Sequence, residues 1–285
     1  MPDSVEDQQW TEIIEPQSRL LDLGLKDVWR YRDLVMLFVR RDFVSVYKQT
    51  ILGPIWFFIQ PLLTTLIYVV IFGNIAKLST DGLPPLLFYL SGVTIWNYFA
   101  QTLTATAAVF RDNASIFGKV YFPRLTMPLS IVISNLIRFA VQFGLFLLVW
   151  TYYLANTQAV HPKVIMVLLP GLIVLMGILS LGLGMIFSAL TTKYRDLVIL
   201  LNFGVQLAMY ATPIIYPASS MPQKYRWLLQ ANPMTPIIET FRYGFLGSGT
   251  FSWISLGYSG LLSFVILLIG IIIFNRVQKS FTDTV

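Results

Sequence analysis

Hydrophobic positions gather into six long runs, approximately residues 51 to 76, 84 to 110, 128 to 154, 164 to 190, 197 to 216 and 253 to 275. A helix needs about 20 mostly apolar residues to cross a bilayer with all its backbone hydrogen bonds closed internally. The pattern predicts an all-α polytopic membrane protein with six transmembrane helices. Between the fifth and sixth runs, residues 217 to 250 are moderately apolar but broken by Pro217, Pro222, Pro233 and Pro236. Proline removes a backbone donor and interrupts a continuous span. This stretch is expected to form a helical hairpin, re-entrant or lying at the outer surface, before the last span.

Ahead of the first run, residues 25 to 50 have helical composition with an imperfect apolar face. Leu34, Val35 and Phe38 stand opposite Asp33, Arg40 and Arg41. Such a helix suits the cytoplasmic headgroup layer. Gly53-Pro54 then marks the turn into the membrane, since proline fits the first turn of a helix. Residues 1 to 24 are polar, acidic in their first 18 positions, and expected to be loosely ordered on the cytoplasmic side. They lack the basic start and short apolar core of a cleavable signal peptide, and the segment is expected to be retained. Residues 51 to 285 form the transmembrane domain.

Polar positions inside the runs fall in stripes. Gln49, Gly53, Trp56, Gln60 and Thr64 share one helical face, as do Ser91, Thr94, Asn97, Tyr98, Gln101 and Thr104. The third run carries Ser134, Asn135, Arg138 and Gln142, and the fifth Asn202, Gln206 and Tyr210. Polar faces in a bilayer meet other helices or a water-lined path. For any one residue the plain reading is interhelical glue; several stripes together point to a conduit. Aromatic residues crowd the ends of the runs, where they suit interfacial belts. Trp56, beside Gln60, also offers a ring on which a sugar could stack.

Charge orients the chain. Lysines and arginines number 14 in the N-terminal segment, second loop, fourth loop and tail, against 5 on the other side, with Arg138 inside a span. By the positive-inside rule both termini are cytoplasmic. The formal net charge of +6 fits anionic lipid; no basic soluble domain exists for a nucleic-acid partner.

Composition narrows the chemistry. With 56% hydrophobic and 12% charged residues, the chain cannot present an aqueous surface all round. It has no cysteine and a single histidine, His161, which excludes disulfides and thiolate metal sites and leaves little for zinc or a catalytic triad. Gly118-Lys119 lacks the upstream glycine of a phosphate-binding loop. Acidic residues are essentially missing from the runs, which argues against a proton-coupled carrier. The chain is read as no enzyme, and energy for uphill transport would come from another subunit.

Three stretches together, "RRDFVSVYKQTILGPIWFFIQPLL", "TTKYRDLVILLNFGVQLAMYATPIIYP" and "LLQANPMTPIIETFRYGFLG", resemble the permease subunit of ABC-2 type polysaccharide exporters, the family that handles O-antigen, teichoic acid and capsule. The likeness covers nearly all the chain beyond about residue 25, with Val46 where the family often has a basic residue. It implies a homodimer in the bacterial cytoplasmic (inner) membrane that passes a lipid-linked polysaccharide through a channel between two copies. Two separate ATPase subunits would hold ATP and Mg; this chain would bind no cofactor.

The resemblance also distributes roles. Arg40, Arg41, Tyr47 and Lys48 would meet the lipid pyrophosphate. Trp56, Gln60, Thr64, Tyr98, Gln101, Asn202 and Gln206 would line the glycan channel. Residues 111 to 127, with Asp112, Asn113, Ile116, Phe117, Lys119 and Arg124, would couple to the ATPase. Asp112 or Asn113 can cap a short helix there, Pro123 ends it, and Ile116 and Phe117 are expected on its docking face. The hairpin at 217 to 250 would form the outer gate with Pro213, Tyr216, Pro233, Glu239 and Arg242; Glu239 is expected to pair with Arg242 one turn on. An ABC-2 exporter of drugs or lipids would look much alike, and a non-transporting membrane scaffold is the alternative of a different class.

Overall fold

The computed structural model describes residues 25–48, 50, 53–117, 122–194 and 196–282. Among them are twelve α-helices and no strand. In chain order these are α1 (Leu25–Arg30), α2 (Arg32–Tyr47), α3 (Trp56–Tyr68), α4 (Pro85–Ala107), α5 (Val109–Asp112) and α6 (Ala114–Phe117). There follow α7 (Thr126–Asn156), α8 (Leu169–Lys193), α9 (Leu197–Tyr210), α10 (Arg226–Ala231), α11 (Met234–Leu246) and α12 (Trp253–Thr282). A π-helical stretch, Val69–Ile75, prolongs α3, and a 3-10 turn, Val164–Leu168, leads into α8.

Among the described residues, four helical stretches are long and apolar enough to cross a membrane: Trp56–Ile75, Thr126–Asn156, Val164–Lys193 and Trp253–Val277. The second and fifth apolar runs differ from these, for separate reasons. The second became α4, which has 23 residues but carries serine, threonine and asparagine along its length. It can do so because it is the central helix, packed against α3, α7, α8, α9 and α11 and buried almost continuously from Leu87 to Phe99. The fifth became α9, whose 14 residues rise about 21 Å, short of a hydrocarbon core of about 30 Å.

Packing is organised in two apolar clusters. The larger joins α4, α7, α8 and α11 through Leu87, Phe88, Ile95, Phe139, Phe146, Met176, Ile237 and Phe241. The smaller lies where α2, α5, α6, α7, α8 and α12 converge, around Phe38, Phe110, Phe117, Met127, Met185 and Phe274. Helix α2 turns Val35, Phe38 and Val39 inward and packs on α7; their i, i+3, i+4 spacing makes one face. Its outer side keeps Met36, Leu37 and Val44 exposed.

The turn ahead of α3 falls where Gly53-Pro54 predicts it. Gly53 has φ +50°, a left-handed conformation that costs glycine little, and its N–H donates to Thr50 Oγ1 at 3.1 Å. Pro61 sits inside α3, and its carbonyl accepts from the Thr65 hydroxyl at 2.7 Å. At the other end of the chain, α11 stops at Gly247, φ +77°. A Cβ there would stand 2.5 Å from the His161 carbonyl oxygen.

Candidate functional site

Of the residues named for the outer gate, Arg242 and Pro213 are in contact. Arg242 on α11 is fully enclosed, with its guanidinium donating to the carbonyls of Pro213, Ile214 (2.8 Å) and Phe88 (3.5 Å), and to Ser91 Oγ (3.3 Å). It also lies 3.8 Å from the centre of the Phe88 ring. A buried cation is expensive unless dipoles replace its water; here converging carbonyls and a π-face do so. Arg242 thereby ties the segment after α9 to the start of α4. Gly92 leaves the room, since a Cβ there would fall 3.0 Å from Arg242 Nη2.

Glu239 does not pair with Arg242, contrary to the sequence expectation. Its Oε2 accepts from the backbone N–H of Thr250 (2.9 Å) and from the Thr250 hydroxyl (3.2 Å). One helical turn sets the two side chains to different neighbours, Arg242 toward α4 and Glu239 toward the loop ahead of α12. Pro233 precedes α11, and its carbonyl accepts from Ser259 of α12 at 2.6 Å. The Tyr216 hydroxyl donates to the Tyr210 carbonyl at 3.1 Å. Asn232 and Thr212, which the sequence reading missed, join this group through Asn232 Nδ2 donating to Thr212 Oγ1 at 2.8 Å. So does Trp150, whose indole N–H donates to the Phe245 carbonyl at 2.7 Å. Asn232 and Thr212 are ordinary polar residues beside prolines, Trp150 stands in an aromatic segment, and nothing in the pattern pairs any of the three with its partner.

The polar stripes separate into two kinds. On α4, Ser91, Thr94 and Tyr98 are buried within the chain, and the Asn97 amide donates to Gln142 of α7 at 3.2 Å. That stripe is interhelical contact; Tyr98 reaches no surface, and Gln101 is half-buried. Arg138 on α7 lies 5.5 Å from the Phe57 ring centre on α3 and donates to Asn135. On α3 and α9 the opposite holds. Trp56 is 46% exposed, Gln60, Asn202 and Gln206 are exposed, and Thr64 is half-buried. The two helices touch where the Tyr68 hydroxyl meets Met209 Sδ at 3.4 Å, and both pack on α4. The predicted stripe begins at Gln49, which lies outside the described residues.

At the α2 end, Phe117 corrects an expectation. The sequence places it on the docking face of a short helix, but it is buried among Phe38, Phe110 and Phe122, stacked on the last at 5.7 Å. A phenylalanine closing a two-turn segment packs inward because its neighbours are aromatic. Arg124, itself buried, lies 5.4 Å from the Phe117 ring centre. Burial lowers its pKa from the ordinary arginine value, and the ring face partly replaces lost water. Asp112 pairs with Arg111 at 2.8 Å, and Asn113 donates from its side chain back to the Val109 carbonyl at 3.0 Å, so neither side chain caps α6, although Asn113 stands just ahead of it with its carbonyl accepting from the Phe117 N–H at 3.1 Å. The exposed surface of the segment is Arg111, Asp112, Ala114 and Ser115, with Ile116 half-buried. Lys119 lies outside the described residues.

Of the residues named for the lipid pyrophosphate, Arg40 and Lys48 are exposed. Arg41 is engaged, pairing with Asp42 (2.8 Å), donating to Asn113 Oδ1 (3.3 Å) and lying over the Phe38 ring. The side chain of Tyr47 lies outside the described residues.

No group of three or more metal-ligating side chains is present among the described residues. Long apolar helices around a polar-bearing central helix, with further polar faces turned outward, make this a multi-pass helical membrane protein. Residues 33–246 match the family model for the ABC-2 type transporter, and the chain belongs to that family. It is 28% identical over 253 residues to the O-antigen export system permease protein RfbA of Klebsiella pneumoniae, covering 88% of this chain and 94% of the relative. It is 26% identical over 220 residues to the protein of the same name in Myxococcus xanthus, covering 76% and 82%. Against the polysialic acid transport protein KpsM of Escherichia coli it is 24% identical over 243 residues, covering 84% and 92%.

Proposed function

We propose that this chain is the membrane-spanning subunit of an ATP-driven exporter of a lipid-linked polysaccharide, and that two copies form the passage. The observation that carries the reading is that Trp56 and Gln60 on α3, and Asn202 and Gln206 on α9, are exposed, while Ser91, Thr94 and Tyr98 of the α4 stripe are buried inside the chain. A conduit for a sugar chain needs weak, sequence-tolerant contacts, which stacking rings and amides supply. Relatives that cover nearly the whole chain support the polysaccharide class by their names.

In this reading α4 and α9 complete a six-span layout, with α9 extended by residues 211 to 216. Both termini lie in the cytoplasm, and α1 and α2 rest on the inner leaflet of the cytoplasmic membrane. The pair α10 and α11 forms the outer gate. Two ATPase subunits, holding ATP and Mg, dock near α5 and α6. Arg40 and Lys48 meet the pyrophosphate of the lipid carrier, each contributing about 1 kcal/mol near an anionic surface. Deleting the gene should leave lipid-linked glycan on the cytoplasmic side and remove it from the cell surface. An undiminished surface polysaccharide, with altered drug resistance or lipid composition instead, would reassign the substrate.

A further inference from the structure

A cavity of about 750 Å³ opens between α10, α11 and the first turns of α12, within the size range of small-molecule pockets, roughly 300–1,000 Å³. Helix α11 lines it with Thr235, Pro236, Glu239 and Thr240, and Thr235 and Glu239 stand one turn apart on the same face. Glu239 is only 4% exposed and forms no ion pair among the described residues. Its Oε2 is held by Thr250, and its Oε1 accepts no hydrogen bond among the described residues. Thr235 is 8% exposed, and its hydroxyl is buried without a partner.

Those two groups define what the cavity lacks. A desolvated carboxylate oxygen calls for donors, and an orphaned hydroxyl calls for either a donor or an acceptor. The remaining lining brings Arg226, Gln230 and Ser255 together with apolar surface from Pro236 and Tyr258. A metal ion would find one carboxylate and otherwise neutral oxygens, a poor ligand set. A free phosphate would meet Arg226 but also the nearly enclosed Glu239 carboxylate, so the cavity as a whole offers it no net positive charge. A ring bearing several hydroxyls satisfies all of it: its O–H groups donate to the carboxylate, a further hydroxyl meets Thr235, and its apolar face covers proline and tyrosine.

We propose that this cavity binds a single sugar unit of the exported glycan at the outer end of its path, with Glu239 and Thr235 as its hydrogen-bonding pair. The inference rests on the export reading. The site would hold the chain against backsliding while the outer gate closes.

The test uses the full permease–ATPase complex in lipid nanodiscs and an oligosaccharide cut from the surface polysaccharide of the source strain, with affinity read by calorimetry. Glu239→Gln and Thr235→Val should each weaken binding about tenfold, the loss of one strong hydrogen bond, while Thr235→Ser should bind as the parent does. Thermal midpoints near the parent's would show that the variants are folded; were Glu239→Gln to unfold, the Thr235 pair decides. Equal affinity in all the proteins overturns the site. So does a complex that exports normally yet binds no oligosaccharide, or one whose cavity retains a phospholipid headgroup in native mass spectra. Undiminished surface polysaccharide in a deletion strain would overturn the export reading itself.

Discussion

Gly182 and Gly270 bring α8 and α12 into backbone contact. A Cβ on Gly270 would stand 2.5 Å from the Gly182 carbonyl oxygen, and one on Gly182 would stand 2.7 Å from the Leu267 nitrogen. Without a hydrophobic force between helices in lipid, close approach of small residues is what makes such a pair adhere. Backbone cannot move aside as a side-chain tip can. Gly182→Val and Gly270→Val should therefore each cost about 1–3 kcal/mol or more, seen as a lower thermal midpoint in detergent. Gly144→Val is the control, since a Cβ there meets nothing within 4 Å.

Arg242 holds three carbonyl oxygens and a serine hydroxyl. Arg242→Met leaves those acceptors buried and unpaired, and hydrogen bonds to a charged group are worth about 1.5–3 kcal/mol each. We expect a loss of at least about 3 kcal/mol and poor recovery of folded protein after solubilisation. Arg242→Lys, which cannot reproduce the guanidinium fork, should fall between the two. A melting series on the three proteins checks the order.

Phe117 and Ser115 separate packing from docking. Phe117→Ala should destabilise the chain by about 3–5 kcal/mol, as expected for a buried aromatic. Ala114→Glu with Ser115→Glu, both on the exposed side of the segment, should leave the melting temperature near the parent's and reduce ATPase recovery on co-purification. Full ATPase recovery in that double variant would move the docking surface elsewhere.

Arg40 and Arg41 should behave differently although adjacent. Arg41→Gln removes the tie from α2 to Asn113 and the contact with Asp42, so it should lower stability by about 1 kcal/mol as well as export. Arg40→Gln, exposed and without a side-chain bond among the described residues, should lower export alone. Parallel melting curves and surface-glycan assays distinguish the two.

Trp56 and Tyr98 test the conduit. A cysteine at 56 or 60 should react with water-soluble thiol reagents in the working transporter, whereas one at 98 should stay unreactive because that position is buried. Trp56→Ala should shorten the exported glycan or slow its appearance several-fold while the complex still assembles. Unreactive cysteines at 56 and 60 in an active exporter would put this face against lipid or protein.

Much of the architecture was open to a reading of the chain alone. Apolar runs of spanning length, prolines that break the stretch before α12, and the Gly53-Pro54 turn are local properties: backbone hydrogen bonds and one side chain's sterics decide them wherever the segment sits. The lack of cysteine and near-lack of histidine disposed of most chemistry in the same way. The tertiary structure decided which way each face looks. In lipid the core and the surroundings are equally apolar, so periodicity cannot tell an inward stripe from an outward one. The Ser91, Thr94 and Tyr98 stripe, read as a conduit, is spent against neighbouring helices, while the similar stripe bearing Trp56 and Gln60 is free. Phe117 turned inward where Phe38 of α2 closes over it, and Glu239 parted from Arg242 because the acceptors of Arg242 lie 28 and more positions away. Gly182 and Gly270 lie 88 positions apart, and only the crossing of their helices makes the absence of two side chains a structural requirement.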